Sequence, residues 1–239
     1  MALRSMRISS PIRCFLALAG MFAGPVAAHA DDGFETEIDL LEVHLGKGED
    51  HLVLDSTFTL GAGSNQVVLK VEGGSDTRTA FDDFGIQALY SRKLSGSLAI
   101  LGGVRHDFRE GSDLTYGTVA IELELTPWLE GEHSFFFSQD GDLTGGAQLV
   151  ASWNLSPRLT AEPRVALGWS SRDIPAEALG NGLTDIEISV RLRRQLGANV
   201  DVYVGAIHER LLGGTGNFAR ASGDPVEVTR GVVGAGLTF

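Results

Sequence analysis

The chain has 239 residues, with 19 Lys and Arg against 31 Asp and Glu, a formal net charge of −12 and a single Cys. The acidic balance argues against a nucleic-acid binder, which needs dense basic patches, and a lone cysteine excludes a disulfide framework or a C-x-x-C site. Gly is abundant, at 31 residues, and no apolar run beyond residue 30 reaches the ~20 residues that a membrane-spanning helix requires.

Residues 1–30 read as an export signal. Arg4, Arg7 and Arg13 form the charged n-region, 14–26 is the apolar run, and Ala28-His29-Ala30 supplies a small-residue cleavage site before Asp31. Cleavage after Ala30 would remove Cys14 and all three methionines, Met1, Met6 and Met21. The mature chain would then carry neither a thiol nor a thioether.

From residue 34 onward, polar and apolar residues alternate in runs of about ten, the pattern of a membrane-spanning β-barrel. Strands are expected at 34–45, 51–60, 65–72, 83–92, 97–107, 115–125, 130–137, 144–153, 160–170, 182–194, 200–210 and 228–239. Leu40-Leu41 breaks the alternation of the first and predicts a bulge there. The short connections 61–64, 93–96, 126–129, 154–159 and 195–199 alternate with longer ones at 46–50, 73–82, 108–114, 138–143, 171–181 and 211–227. Outer-membrane barrels have short periplasmic turns and longer outer loops. In the last strand Leu237 and Phe239 face one way and Arg230, Gly234 and Thr238 the other, ending on an aromatic as a closing strand does. The expected fold is all-β: an outer-membrane type, transmembrane antiparallel β-barrel of about twelve strands, with 31–239 as a single domain.

Parity assigns the faces. In 182–194, Ile186, Ile188, Val190 and Leu192 oppose Asp185, Glu187, Ser189, Arg191 and Arg193; in 115–125, Val119, Ile121, Leu123 and Leu125 oppose Thr118, Glu122 and Glu124. Charge on the lipid face is costly, so the charged set is expected in the lumen. The inward acids are then Glu35, Glu37, Asp39, Glu42, Asp55, Glu72, Asp107, Glu122, Glu124, Glu130, Glu132, Glu162, Asp185 and Glu187. The inward bases are Lys70, Arg105, Arg164, Arg191, Arg193 and Arg230. Such a lumen either concentrates cations or fills with Glu–Arg pairs and becomes a plug, and parity leaves both open. Tyr90, Trp153, Trp169 and Phe239 fall where an interfacial aromatic girdle belongs, and His106, His133 and His208 are expected on the outer face.

Two places have metal-ligating residue types in suitable positions. His44 shares parity with Glu42 after the expected bulge. Around the turn Thr126-Pro127-Trp128-Leu129, Glu122 and Glu124 should face Glu130 and Glu132 across a hairpin. Like charges directly opposite destabilise a sheet, so protonation, a cation or arginines from across the lumen must offset them. Arg164 and Arg193 lie at about the same depth and are the expected partners. No H-x-H, HExxH or His-x-Ser spacing is present, and an enzyme with a nucleophile and base in reach is not expected.

A further set of segments runs in order through the chain: Gln87-Ala88-Leu89-Tyr90-Ser91-Arg92, Gly103-Val104-Arg105-His106-Asp107-Phe108, Glu162-Pro163-Arg164, Gly182-Leu183-Thr184-Asp185-Ile186-Glu187, Arg191-Leu192-Arg193 and Tyr203-Val204-Gly205. The loop from Gly213 to Gly223 and the strand from Arg230 complete it. From about Leu69 to Phe239 the chain resembles the copper resistance protein B family of bacterial outer-membrane proteins. That resemblance implies a role in copper tolerance, with copper ions bound or passed at the outer membrane, and a periplasmic multicopper oxidase as a partner beside the outer-membrane lipid. A Met- and His-rich stretch after the signal, suited to Cu(I), is often found in that family. Residues 31–50 here offer Glu35, Glu37, Asp39, Glu42 and His44 instead.

Overall fold

The computed structural model describes residues 33–46, 51–75, 83–109 and 112–239; the export signal expected at 1–30 lies outside them. The strands are β1 (Phe34–Gly46), β2 (His51–Leu60), β3 (Asn65–Ser75), β4 (Asp83–Ser95), β5 (Leu98–Phe108), β6 (Leu114–Thr126), β7 (Leu129–Ser138), β8 (Leu143–Ala151), β9 (Trp153–Ser156), β10 (Leu159–Ser170), β11 (Gly182–Gln195), β12 (Val200–Leu211) and β13 (Glu227–Thr238). One helix, α1 (Gly213–Ser222), lies between β12 and β13. β8 and β9 are two pieces of one stave, interrupted at Ser152, and both pair with β10. The wall therefore has twelve staves.

Each stave pairs antiparallel with its sequence neighbour, and β13 pairs with β1, so the sheet closes into a barrel without edges. At the seam, the Thr36 amide donates to the Phe239 carbonyl at 3.0 Å and the Phe239 amide to the Thr36 carbonyl at 2.8 Å. Closure satisfies the backbone polar groups that lipid could not. Truncation after Thr238 removes both bonds, at about 0.5–1.5 kcal/mol each, together with an exposed aromatic. The truncated barrel should lose its compact, fast-migrating form on unboiled gels at a lower temperature than the parent; an unchanged transition would show that the seam does not depend on Phe239.

The faces follow parity. Ile188, Val190 and Leu192 are exposed on the outside of β11, while Ser189 and Arg191 between them are buried inside. In β1 the register shifts between Ile38 and Leu40, leaving Asp39 as the extra residue against β2. This is the expected bulge. It moves the inward face from Asp39 to Leu40, Glu42 and His44, of which the last three are buried.

Two glycines are needed because an aromatic ring lies on them. A Cβ at Gly145 would sit 2.4 Å from the Trp169 ring on the outer face, and one at Gly234 would sit 2.5 Å from Tyr203 in the lumen. Such covering restores the packing a strand glycine lacks. Tyr90, Trp153 and Phe239 are exposed on the outer face, and Trp169 packs edge-on against Phe135 at 5.8 Å.

Candidate functional site: the charged lumen

The inner faces of the staves bring their charges together in separate clusters. In the first, Arg191 of β11 grips Glu42 of β1 with two bonds, Nε to Oε2 at 2.9 Å and Nη2 to Oε1 at 2.8 Å. Ser189 Oγ accepts a further bond from Arg191 Nη1 at 2.9 Å. His44 Nε2 lies 2.7 Å from Glu42 Oε1. Arg191 and Glu42 are each only 1% exposed. Burial of this kind is tolerable because the planar guanidinium matches the carboxylate fork.

The second cluster is centred on the bulge. Asp39 accepts from Arg164 Nη2 and from Arg193 Nη2, each at 2.7 Å. Glu162 accepts from Arg164 Nε at 2.8 Å and lies 3.0 Å from Arg193 Nε. The Arg193 guanidinium also lies 4.6 Å from the centre of the Tyr203 ring, a cation–π contact.

The third cluster contains the opposed glutamates. Glu122 faces Glu132 and Glu124 faces Glu130 across the β6–β7 hairpin, in the register that parity predicts. The cation that offsets the Glu122–Glu132 pair differs from the ones expected: Lys70 of β3, whose Nζ lies 3.2 Å from Glu122 Oε1 and 2.7 Å from Glu132 Oε2. Arg164 and Arg193 are taken up by Asp39 and Glu162 instead. Equal depth on the wall was not enough to pair them with the hairpin. Nor does nearness around the ring explain it: β10 is one stave, β8–β9, from β7, whereas β3 is two staves, β4 and β5, from β6, and Asp39 on β1 is two staves from β11 and three from β10. Lys70 was legible as an inward base, but its partners were not.

Glu122, Glu124, Glu130 and Glu132, with Glu37, Lys70 and Lys93, line a cavity of about 400 Å³ at the short-turn end of the barrel. A second cavity of about 380 Å³ opens at the long-loop end, lined by Asp55, Glu72, Arg105, Asp107 and Arg109 among others. There Arg105 bonds Asp107 at 2.6 Å and Glu72 at 3.0 Å. Two of the outward histidines have local hydrogen-bond partners: His106 Nδ1 lies 2.8 Å from Thr115 Oγ1, and His208 Nδ1 lies 2.7 Å from Thr229 Oγ1, while the His133 ring packs 4.5 Å from that of Phe135.

The metal-ligand candidates thus fall into two groups. Glu42 and His44 are in contact, but both Glu42 oxygens are engaged by Arg191. The four hairpin glutamates share one cavity. Among the described residues, no group of three or more His, Cys, Asp or Glu side chains is arranged to hold a metal ion.

A closed antiparallel wall with an apolar outside, an aromatic girdle and an ion-paired lumen defines an outer-membrane β-barrel protein. In fold it is similar to the NanC porin, with a TM-score of 0.56 at 10% identity, over 84% of this chain and 98% of that one. The copper resistance protein B precursor (CopB) family matches residues 34–239, and the chain belongs to that family. A copper resistance protein B homolog of Pseudomonas syringae pv. tomato is 27% identical over 203 residues, 84% of this chain and 68% of the relative. Copper resistance protein B of Escherichia coli is 27% identical over 186 residues, 75% of this chain and 60% of the relative. The chain is thus an outer-membrane protein of a copper resistance family.

Proposed function

We propose that this barrel contributes to copper tolerance by collecting copper ions at the short-turn mouth of its lumen, without catalysing a reaction. Residues 31–239 act in this reading as one barrel domain after the export signal has been removed. The observation that carries it is the facing of Glu124 with Glu130, and of Glu122 with Glu132, in one cavity where Lys70 and Lys93 are the lining cations. Carboxylates gathered between low-dielectric walls attract cations. The donor set is oxygen, with His44 held apart beside Glu42, and no thioether or thiol lies beyond residue 30. It suits Cu(II) as cargo better than Cu(I), which prefers sulfur.

By the usual orientation of outer-membrane barrels the short turns face the periplasm. A periplasmic multicopper oxidase would meet the cation-collecting mouth from that side. The second reading is a structural or passive-pore barrel without metal selectivity. It is favoured by the engagement of Glu42 with Arg191 and by the lack of a converging ligand set among the described residues.

Calorimetric titration of the refolded barrel with Cu(II) separates the two. Changing Glu124 and Glu130 to Gln, neither of which bonds Lys70, should weaken Cu(II) binding about tenfold or more, equivalent to ~1.4 kcal/mol. Binding that is measurable in the parent and unaltered in the variant would remove the mouth as the copper site. No measurable binding in either would favour the structural barrel.

A further inference from the structure

We propose that Lys70 is the gate of a cation pathway through the lumen, closed in this structure by its bonds to Glu122 and Glu132. Copper is not needed for this inference, which stands on the wall geometry alone.

The two cavities, one at each end of the barrel, share no lining residue. Two chords of charge cross the lumen. One runs from β1 to β10 and β11, through Glu42–Arg191 and Asp39–Arg164/Arg193, passing over β12 and β13. Under it lie Tyr203 and Val232, 2% and 1% exposed. The other runs from Lys70 on β3 to Glu122 on β6 and Glu132 on β7, passing over β4 and β5. Under it lie Leu89 and Leu101, which with Val68, Ala99 and Ala120 form the buried apolar cluster of the barrel interior. The two chords have the same construction: a long basic side chain spans two or three staves, its stem covers apolar residues, and its head is anchored on carboxylates.

They differ in how firmly they hold. The Arg191–Glu42 pair is bidentate and 1% exposed at both side chains. In the lysine chord the side-chain exposures are 12% for Lys70, 40% for Glu122 and 26% for Glu132. An ammonium on a flexible four-carbon stem has no fixed fork to its partner, and its two carboxylate anchors are more open to solvent than Glu42. The Arg191–Glu42 pair is therefore the fixed part of the partition, and the lysine chord, with a point charge in place of a fork, is the one that can swing.

Beside it, Lys70 neighbours Glu72 on the same inner face of β3, and Glu72 lines the other cavity. Gln87, 4% exposed, holds Glu72 Oε1 at 3.1 Å. The Lys70 head thus lies between the carboxylates of one cavity and those of the other. While it is anchored, it fills the passage and its charge repels cations. Once released, the passage is lined by the freed carboxylates of Glu122 and Glu132, acidic side chains of the kind that select cations, with Glu72 held by Gln87 and Arg105 beyond them.

Planar-bilayer recording in KCl tests the gate. The parent barrel should be silent, and Lys70→Ala should show discrete current steps with a reversal potential that favours K⁺ over Cl⁻. Changing both Glu122 and Glu132 to Gln keeps the lysine but removes its anchors. That variant should also conduct, without the cation preference, and it keeps the test open if Lys70→Ala fails to assemble. Parent channels as active as those of the variants would overturn the proposal. So would silence in variants that still run as compact barrels on unboiled gels. Because the recording contains no copper, either result leaves the copper titration to be judged on its own.

Discussion

Replacing Glu42 by Leu should destabilise the barrel by about 3–5 kcal/mol, the usual cost of removing one partner from a buried ion pair. Arg191 would be left 1% exposed, with Ser189 Oγ as its remaining bond among those described above, and a guanidinium cannot shed its charge to escape. The penalty comes from the stranded charge rather than from the lost bond. A second change, Arg191→Met, should therefore recover most of it, since well-packed apolar replacements of a buried pair are often neutral. Urea titration of the refolded protein, followed by tryptophan fluorescence, measures all three. His44 loses its contact with Glu42 in both variants, so the comparison of single with double isolates the arginine. If the double variant is as unstable as the single one, the chord holds the barrel by its bonds and not by charge balance.

The second large effect is expected on the outer face. Ile188 lies near the middle of β11, 50% exposed and directed away from the lumen. Ile188→Arg should cost ~2–4 kcal/mol in lipid vesicles, the penalty for Arg at mid-bilayer on a barrel's outer surface. On a water-facing surface the same change would be worth no more than about 0.5 kcal/mol. Urea unfolding from vesicles distinguishes these outcomes, and a change below that smaller figure would contradict the assignment of this face to lipid.

These two experiments probe opposite sides of one strand, and the strand's own pattern already separates them. Period-two alternation made Ile188 and Arg191 legible as outward and inward residues, because lipid accepts one and rejects the other. The same local rule made the hairpin register legible. Residues facing each other across β6 and β7 must share a side, so Glu122 had to meet Glu132 and Glu124 had to meet Glu130. The bulge at Asp39 was legible too, since Leu40-Leu41 is the point where alternation fails in β1.

Other features had no local signature. Ser152 breaks the strand expected at 144–153, and pairing then resumes as β9 through Ser156, inside the connection expected at 154–159. Helix α1 begins with Gly213-Gly214, poor helix formers, and it persists because Thr215, Gly216 and Ala219 are buried against the surrounding structure. Glycine at 214 also allows close approach: a Cβ on Gly180 would lie 2.4 Å from the Gly214 Cα. Neither the approach nor the burial is visible along the chain.

By itself the sequence determined the barrel, its faces, its strand order and the set of charges in the lumen, because each of these follows from alternation and from what lipid excludes. Only the tertiary structure decided which charge meets which. Lys70 rather than Arg164 or Arg193 reaches the hairpin glutamates, and Arg191 takes both oxygens of Glu42. The physical reason is that each lumen charge is contested by every opposite charge within side-chain reach across a closed ring, and Asp39 and Glu162 take both arginines. Strand periodicity carries face and order but not the outcome of that competition.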